Sequence, residues 1–203
     1  TAVYDASGSY LFVALENVNL VAIVDSYNGT ELGRVNVGRA PQGLALSNDG
    51  TRLYVKNFMD RSVDVYDLTN LLNDGNAVIS KIATVNTVAN ERLAPVVLKG
   101  KQLFYDARDS RLARDGYISC SVCHDDGGHD GRVWDLTGFG EGLRNTIDLR
   151  GRAGKAHGLL HWSANFDEVQ DFEGQIRNLA GGTGLMRSKS TRLNSSHQII
   201  SYA

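Results

Sequence analysis

Two stretches of the chain, 42 residues apart, spell the same pattern, and a repeat of that length constrains the fold more than any other feature. Gly8-Ser9-Tyr10-Leu11-Phe12-Val13-Ala14 aligns with Gly50-Thr51-Arg52-Leu53-Tyr54-Val55-Lys56, and Val21-Ala22-Ile23-Val24-Asp25 aligns with Val63-Asp64-Val65-Tyr66-Asp67. Both alignments share one offset, 50 against 8 and 67 against 25. A unit of roughly 40–45 residues with several short strands has the length of one propeller blade. Leu11–Leu15 and Leu53–Val55 read as strands led in by glycine turns. Val21–Val24 and Val63–Tyr66 follow across polar turns. Asn28-Gly29 is a hairpin-turn signal, after which Glu31–Val37 reads as another strand. Pro41–Leu46 opens the next unit. Leu71–Asn76 reads as a polar turn, and the connection from Asn86 to Ala94 reads as a linker ending at Pro95.

The run Pro41-Gln42-Gly43-Leu44-Ala45-Leu46-Ser47-Asn48-Asp49-Gly50-Thr51-Arg52-Leu53-Tyr54-Val55 resembles the YVTN family of β-propeller repeats. The resemblance covers about residues 2 to 88, two blades, and implies a first domain over 1–90. A closed propeller has roughly 4–8 blades, so the expectation is that two are part of a larger ring. These strands are expected to serve as scaffold or docking surface. Asp25 and Asp67, at strand ends, are expected to cap turns.

Composition bounds the rest. The chain is 42% hydrophobic with a formal net charge of −2, which argues against a nucleic-acid partner. No apolar run approaches the roughly 20 residues of a membrane helix. The opening residue is Thr1, in mid-pattern, which reads as a processed chain or a fragment.

Cys120-Ser121-Val122-Cys123-His124 contains both cysteines of the chain. A Cys-x-x-Cys-His run reads as a c-type haem attachment site. One helical turn presents both sulfurs to one porphyrin edge for addition across the vinyl groups, and the adjacent imidazole binds the iron as proximal ligand. Three alternatives compete. A zinc site needs about four ligands, and no second Cys or His pair completes one. A thioredoxin-type redox pair follows a strand in a βαβ unit, whereas these flanks are polar and glycine-rich. A disulfide across three residues would be strained. Covalent haem in turn implies a periplasmic or extracellular location.

Around this motif, residues 91–187 read as a second, mainly α-helical domain. Val97, Leu98, Leu103 and Phe104 suit a short helix packing one face. Gly127, Gly128 and Gly131 permit tight turns and close approach to a flat ligand. Asn165 with Glu168 three residues on suggests a capping box. Val169, Phe172, Ile176 and Leu179 then form one apolar helical face that ends at Gly181-Gly182.

Gly100-Lys101-Gln102-Leu103-Phe104-Tyr105-Asp106-Ala107-Arg108, Ser119–His124, Asp130-Gly131, Arg144-Asn145-Thr146 and His161-Trp162 together resemble the di-haem cytochrome c peroxidase family and its tryptophan-modifying relatives. The likeness spans about 95 to 185. It loosens after Trp162, where the family's Trp-Asp-Gly-Arg is here Trp162-Ser163-Ala164-Asn165. Fusion of such a domain to YVTN blades is a known arrangement in exported bacterial proteins. The resemblance implies an oxidoreductase that reduces hydrogen peroxide at haem c, fed by a small cytochrome or a cupredoxin. His157 or His161 is a candidate distal ligand, and each can equally be a histidine hydrogen-bonded at the domain surface. His161, Glu168 and Gln170 are acid–base or positioning candidates, though Glu168 also fits as a mere helix cap. Arg144 is a propionate partner or a surface ion pair with Asp148, and Trp162 an electron relay or a core aromatic. The family's second haem requires another Cys-x-x-Cys-His, which this chain lacks, so one chain would not complete a two-haem cycle. Two other readings are an electron-transfer cytochrome without turnover and a cell-surface propeller binding protein with an accessory haem module. Residues 188–203 break from the preceding pattern and resemble an artefactual tail, so His197 is excluded from any site.

Overall fold

A computed structural model describes residues 1–150 and 159–186. The chain divides into two compact units, Thr1–Arg92 and Leu93–Ala203.

The first unit is two four-stranded antiparallel meanders, each laid down in chain order. The first sheet comprises β1 (Ala2–Tyr4), β2 (Tyr10–Leu15), β3 (Leu20–Asp25) and β4 (Thr30–Asn36). The second comprises β5 (Pro41–Leu46), β6 (Arg52–Asn57), β7 (Ser62–Asp67) and, after helix α1 (Thr69–Asp74), β8 (Ser80–Asn86). This is the blade architecture expected from the repeat. The repeat holds to the residue: β2 and β3 map onto β6 and β7 at an offset of 42, a bulge lies at Ile23/Val24 and again at Val65/Tyr66, and Asn19 and Arg61 both adopt left-handed φ, 56° and 54°. Asp25 accepts the amides of Tyr27 (2.8 Å) and Asn28 (3.3 Å), and Asp67 accepts the Thr69 amide (2.8 Å), so both aspartates cap turns.

One stretch departs from expectation. The residues read as a polar turn form α1, whose Leu71 is fully buried. Leu68 and Leu71 join Phe12, Val21, Ile23, Leu53, Val55, Tyr66 and Ile79 in the core between the two sheets. The hydrophobic effect explains this insertion: Leu68 and Leu71, three residues apart, are both fully buried in that core, and the Tyr10 hydroxyl donates to the Leu71 carbonyl at 3.3 Å.

The second unit opens with α2 (Pro95–Phe104), with Pro95 in the first turn and Gly100, Leu103 and Phe104 buried. The one-turn helix α3 (Cys120–Cys123) and the hairpin of β9 (Val133–Leu136) and β10 (Gly142–Asn145) follow. A 3-10 turn over Val169–Phe172 then runs into α4 (Glu173–Asn178). The described residues of this unit are therefore not mainly helical, a correction to the sequence reading. Glycines with positive φ at 127, 131, 140 and 142 interrupt helical phasing, and Asp130 organises a hairpin instead. It accepts from Trp134 Nε1 (3.0 Å), Thr146 Oγ1 (2.7 Å) and the Arg132 amide (3.0 Å).

The C-terminal helix forms where its apolar spacing placed it, but its cap lies one step further on. Glu168 is the N-cap and Asp171 the reciprocal partner, accepting the Glu168 amide at 3.3 Å. Asn165 is engaged elsewhere. At the other end Gly182 donates to the Ile176 carbonyl at 2.9 Å. A side chain at Gly182 would clash with the Arg111 carbonyl and the Leu112 backbone, so glycine lets the helix end close on the 110–114 loop.

Candidate functional site

The candidate site is built on α3, where Ser119 in extended conformation leads into a single helical turn. Residues three apart on one turn share a face, which sets the two cysteines side by side. Both are free thiols. Cys120 is open to solvent on one side, yet the protein packed behind it pushes its thiol up to about 11 by desolvation, with the Cys123 thiol adding. Burial also raises Cys123, helped by Asp130 and opposed by Arg132. Among the described residues, the group of acidic and metal-ligating side chains close enough to hold an ion is Asp167, Glu168 and Asp171, away from the cysteines in sequence. The cap at Glu168 and Asp171 accounts for it.

The backbone leaves the helix at His124 (φ −108°, ψ 60°). His124 Nδ1 lies 2.8 Å from the Ile147 carbonyl and 3.3 Å from that of Gly128. A carbonyl only accepts, so Nδ1 carries a proton, and in the neutral ring Nε2 is the nitrogen left with a lone pair. This is the arrangement of a metal-ligating histidine, whose other nitrogen donates to a backbone carbonyl and so fixes ring and tautomer. The loop after it folds back through Leu149 N to Gly127 O (2.7 Å), while the Tyr105 hydroxyl donates to Asp126 (3.2 Å).

The segment from Glu141 to Ile147 links the remaining candidates. The Trp162 indole N–H donates to the Asn145 carbonyl, two residues before the carbonyl that holds His124. Glu141, buried, gathers a polar cluster at the other end. It accepts from the Ser163 hydroxyl and from Asn165 Nδ2 (3.3 Å), with Arg144 at 3.6 Å and His161 Nδ1 at 3.4 Å. The Ser163 hydroxyl, with His161 and Arg144, holds its carboxyl below the ordinary range against the opposing effect of desolvation. His161 also places Nδ1 3.0 Å from Asn165 Oδ1, stacks on Phe166 at 4.8 Å and meets Phe172 edge-on at 5.9 Å.

The structure thus brings His124 and Trp162 onto one segment and ties Arg144 and His161 to Glu141. Arg144 also donates to the Leu143 carbonyl at 3.0 Å. Glu168 caps a helix, and Gln170 is buried. His157 lies outside the described residues, as does the 188–203 tail. Sequence reasoning missed Glu141 and Ile147. The first is an isolated acid in a glycine-rich stretch, and the second acts through its backbone, which leaves no side-chain signal.

The donor set is of the kind that holds a haem: two free thiols on one turn and an imidazole tied through Nδ1, in a unit where Val122, Trp134, Leu143 and Trp162 remain substantially exposed.

No family model matches the chain, and no curated protein matches it. Among solved structures it is similar to hydrazine synthase of Kuenenia stuttgartiensis, at 27% identity over 42% of this chain and 22% of that one, with a TM-score of 0.36. It is also similar to the Cps50 (Swd1) β-propeller domain of Myceliophteria thermophila, at 19% identity over 42% of this chain and 27% of that one, TM-score 0.38. A third is the periplasmic gluconolactonase PpgL of Pseudomonas aeruginosa, at 20% identity over 42% and 24%, TM-score 0.36. The chain spans about a quarter of the length of each of these structures. The blade assignment rests on the strand order and register described above.

Proposed function

We propose that Cys120 and Cys123 carry a covalently attached haem c with His124 as its proximal ligand, in an exported electron-transfer protein. The observation that carries this reading is the 2.8 Å contact from His124 Nδ1 to the Ile147 carbonyl. It orients the ring, selects the tautomer and makes Nε2 a stronger donor. When bound, haem supplies one-electron chemistry. Trp162, anchored two residues away on the same segment, offers an aromatic step toward a redox partner such as a small cytochrome or a cupredoxin. Among the described residues no helix is long and apolar enough to cross a membrane. The periplasmic or cell-surface location is part of this proposal, because it follows from covalent haem.

Peroxide reduction of the di-haem type is the finer reading, and the geometry gives it less support than electron transfer. Acid–base work needs a group within hydrogen-bonding reach of the bound oxidant. Glu168 holds a helix terminus, and His161 holds Glu141 and Asn165. Arg144, the candidate propionate partner, is likewise engaged by Glu141.

The test is expression with a haem-maturation system, followed by acid–acetone extraction and a reduced-minus-oxidised spectrum with and without peroxide. Pigment that survives extraction, with a spectrum unmoved by peroxide, supports an electron carrier. Peroxide consumption at steady rate would favour the peroxidase instead. Colourless protein overturns the haem assignment.

A further inference from the structure

We propose that Tyr105 is a positioning residue for the proximal histidine: through Asp126 it holds the turn whose Gly128 carbonyl faces His124 Nδ1, and so sets how strong a ligand that imidazole is. This rests on the haem reading above and adds to it the part of the chain that tunes the iron. Tyr105 follows α2 directly as its C-cap. Its ring is buried and meets Phe104 edge-on at 5.4 Å. From that anchored position the hydroxyl donates to Asp126 Oδ1 at 3.2 Å. Asp126 itself is exposed, so the phenol is the fixed end of the contact.

Asp126 and Gly127 both have left-handed φ, 47° and 76°, and the Gly128 amide donates to the Asp125 carbonyl at 2.7 Å. This is a type I′ turn with an Asp-Gly pair at its centre. A non-glycine residue in that region persists when its surroundings hold it there, and Tyr105 provides a hold from outside the turn. The reversal returns the Gly128 carbonyl to 3.3 Å from His124 Nδ1. The opposite wall is the segment from Ile147 to Arg150. There the Ile147 carbonyl lies 2.8 Å from the same nitrogen, and the Leu149 amide donates to the Gly127 carbonyl at 2.7 Å. The Arg150 guanidinium packs against Gly128, where a Cβ would come within 3.3 Å of Nη2. One N–H thus faces two acceptors, one on each wall, and the longer contact is the one that depends on the turn. Acceptors at Nδ1 strengthen the opposite nitrogen as a ligand. A stronger axial donor favours ferric over ferrous haem, so loosening the turn raises the potential.

Redox titration of the matured full chain tests this with Tyr105→Phe, Asp126→Ala and the double variant. Tyr105→Phe keeps the buried ring and removes only the hydroxyl, and far-ultraviolet circular dichroism verifies the fold. The midpoint potential of Tyr105→Phe is expected to rise. The His124 Nδ1 proton, followed by NMR in reduced protein labelled with 15N-histidine, is expected to exchange faster with solvent. Asp126→Ala should move both readouts in the same directions. Adding Tyr105→Phe to Asp126→Ala should move neither further, because the hydroxyl acts through that carboxylate, whereas a general packing effect of Tyr105 would persist. Pigmented Tyr105→Phe protein with the wild-type potential overturns the proposal and leaves the haem reading standing. A Tyr105→Phe shift undiminished in the Asp126→Ala background does the same. Colourless wild type overturns the haem reading and this one with it.

Discussion

At the scale of residues, the candidate site is a set of side chains aimed by backbone carbonyls. His124 hangs from Ile147 and Trp162 from Asn145, so the imidazole's donor direction is determined before any ligand arrives. Replacing His124 with Ala should therefore remove the proximal ligand and shift both Soret band and midpoint potential. An unchanged spectrum in the matured variant would contradict the assignment. Cys120→Ala should leave haem held by one thioether, read by the position of the pyridine haemochrome band. Glu141 governs a separate behaviour. Its folded-state carboxyl sits below the ordinary value, which is about 4.3, so its contribution is fully present above that value. That contribution disappears as pH falls through the lowered one. Acid titration of the second unit, followed by tryptophan fluorescence at Trp134 and Trp162, should show this loss. Glu141→Gln should flatten that part of the curve and lower stability at neutral pH.

At the scale of elements, the second unit is held by short structures that lock onto one another. The end of α4 closes on the 110–114 loop through Gly182 N to Ile176 O and Gly184 N to Arg111 O (2.8 Å). Gly182→Ala drives a methyl into the Arg111 and Leu112 backbone, and overpacking of this kind costs about 1–3 kcal/mol. Chemical denaturation of the variant should show that loss. A stability equal to wild type would mean the loop can retreat. The helix boundary illustrates how far local signals reach. Its apolar spacing from Val169 to Leu179 was legible, while the choice between Asn165 and Glu168 as cap depended on Asn165 being drawn off by His161 and Glu141. A short window cannot register that competition.

At the scale of the whole molecule, the blade pair draws its stability from the shared core. Leu71, on the inserted helix, is completely buried in it. Leu71→Ala should cost about 2–5 kcal/mol, seen as a lower unfolding midpoint for the first unit. An effect near zero would show α1 to be dispensable to the core. The insertion also explains why β4 and β8 are offset by 50 rather than 42: β4 begins at Thr30 and β8 at Ser80, with α1 in the connection.

The amino-acid order by itself determined the blades, because a period-two apolar pattern repeated at 42 residues specifies strands, their turns and the faces they bury. It also placed two thiols and an imidazole on one short segment, the motif on which the haem proposal rests. What the tertiary structure alone decided is which distant residues each unit brings together: His124 to the Ile147 carbonyl and four side chains to Glu141 in the second, Leu71 into the shared core in the first. The Ile147 carbonyl, the Glu141 cluster and the packing of α1 join residues far apart in the chain, and two of the three act through backbone groups or a lone side chain that carries no periodic signal.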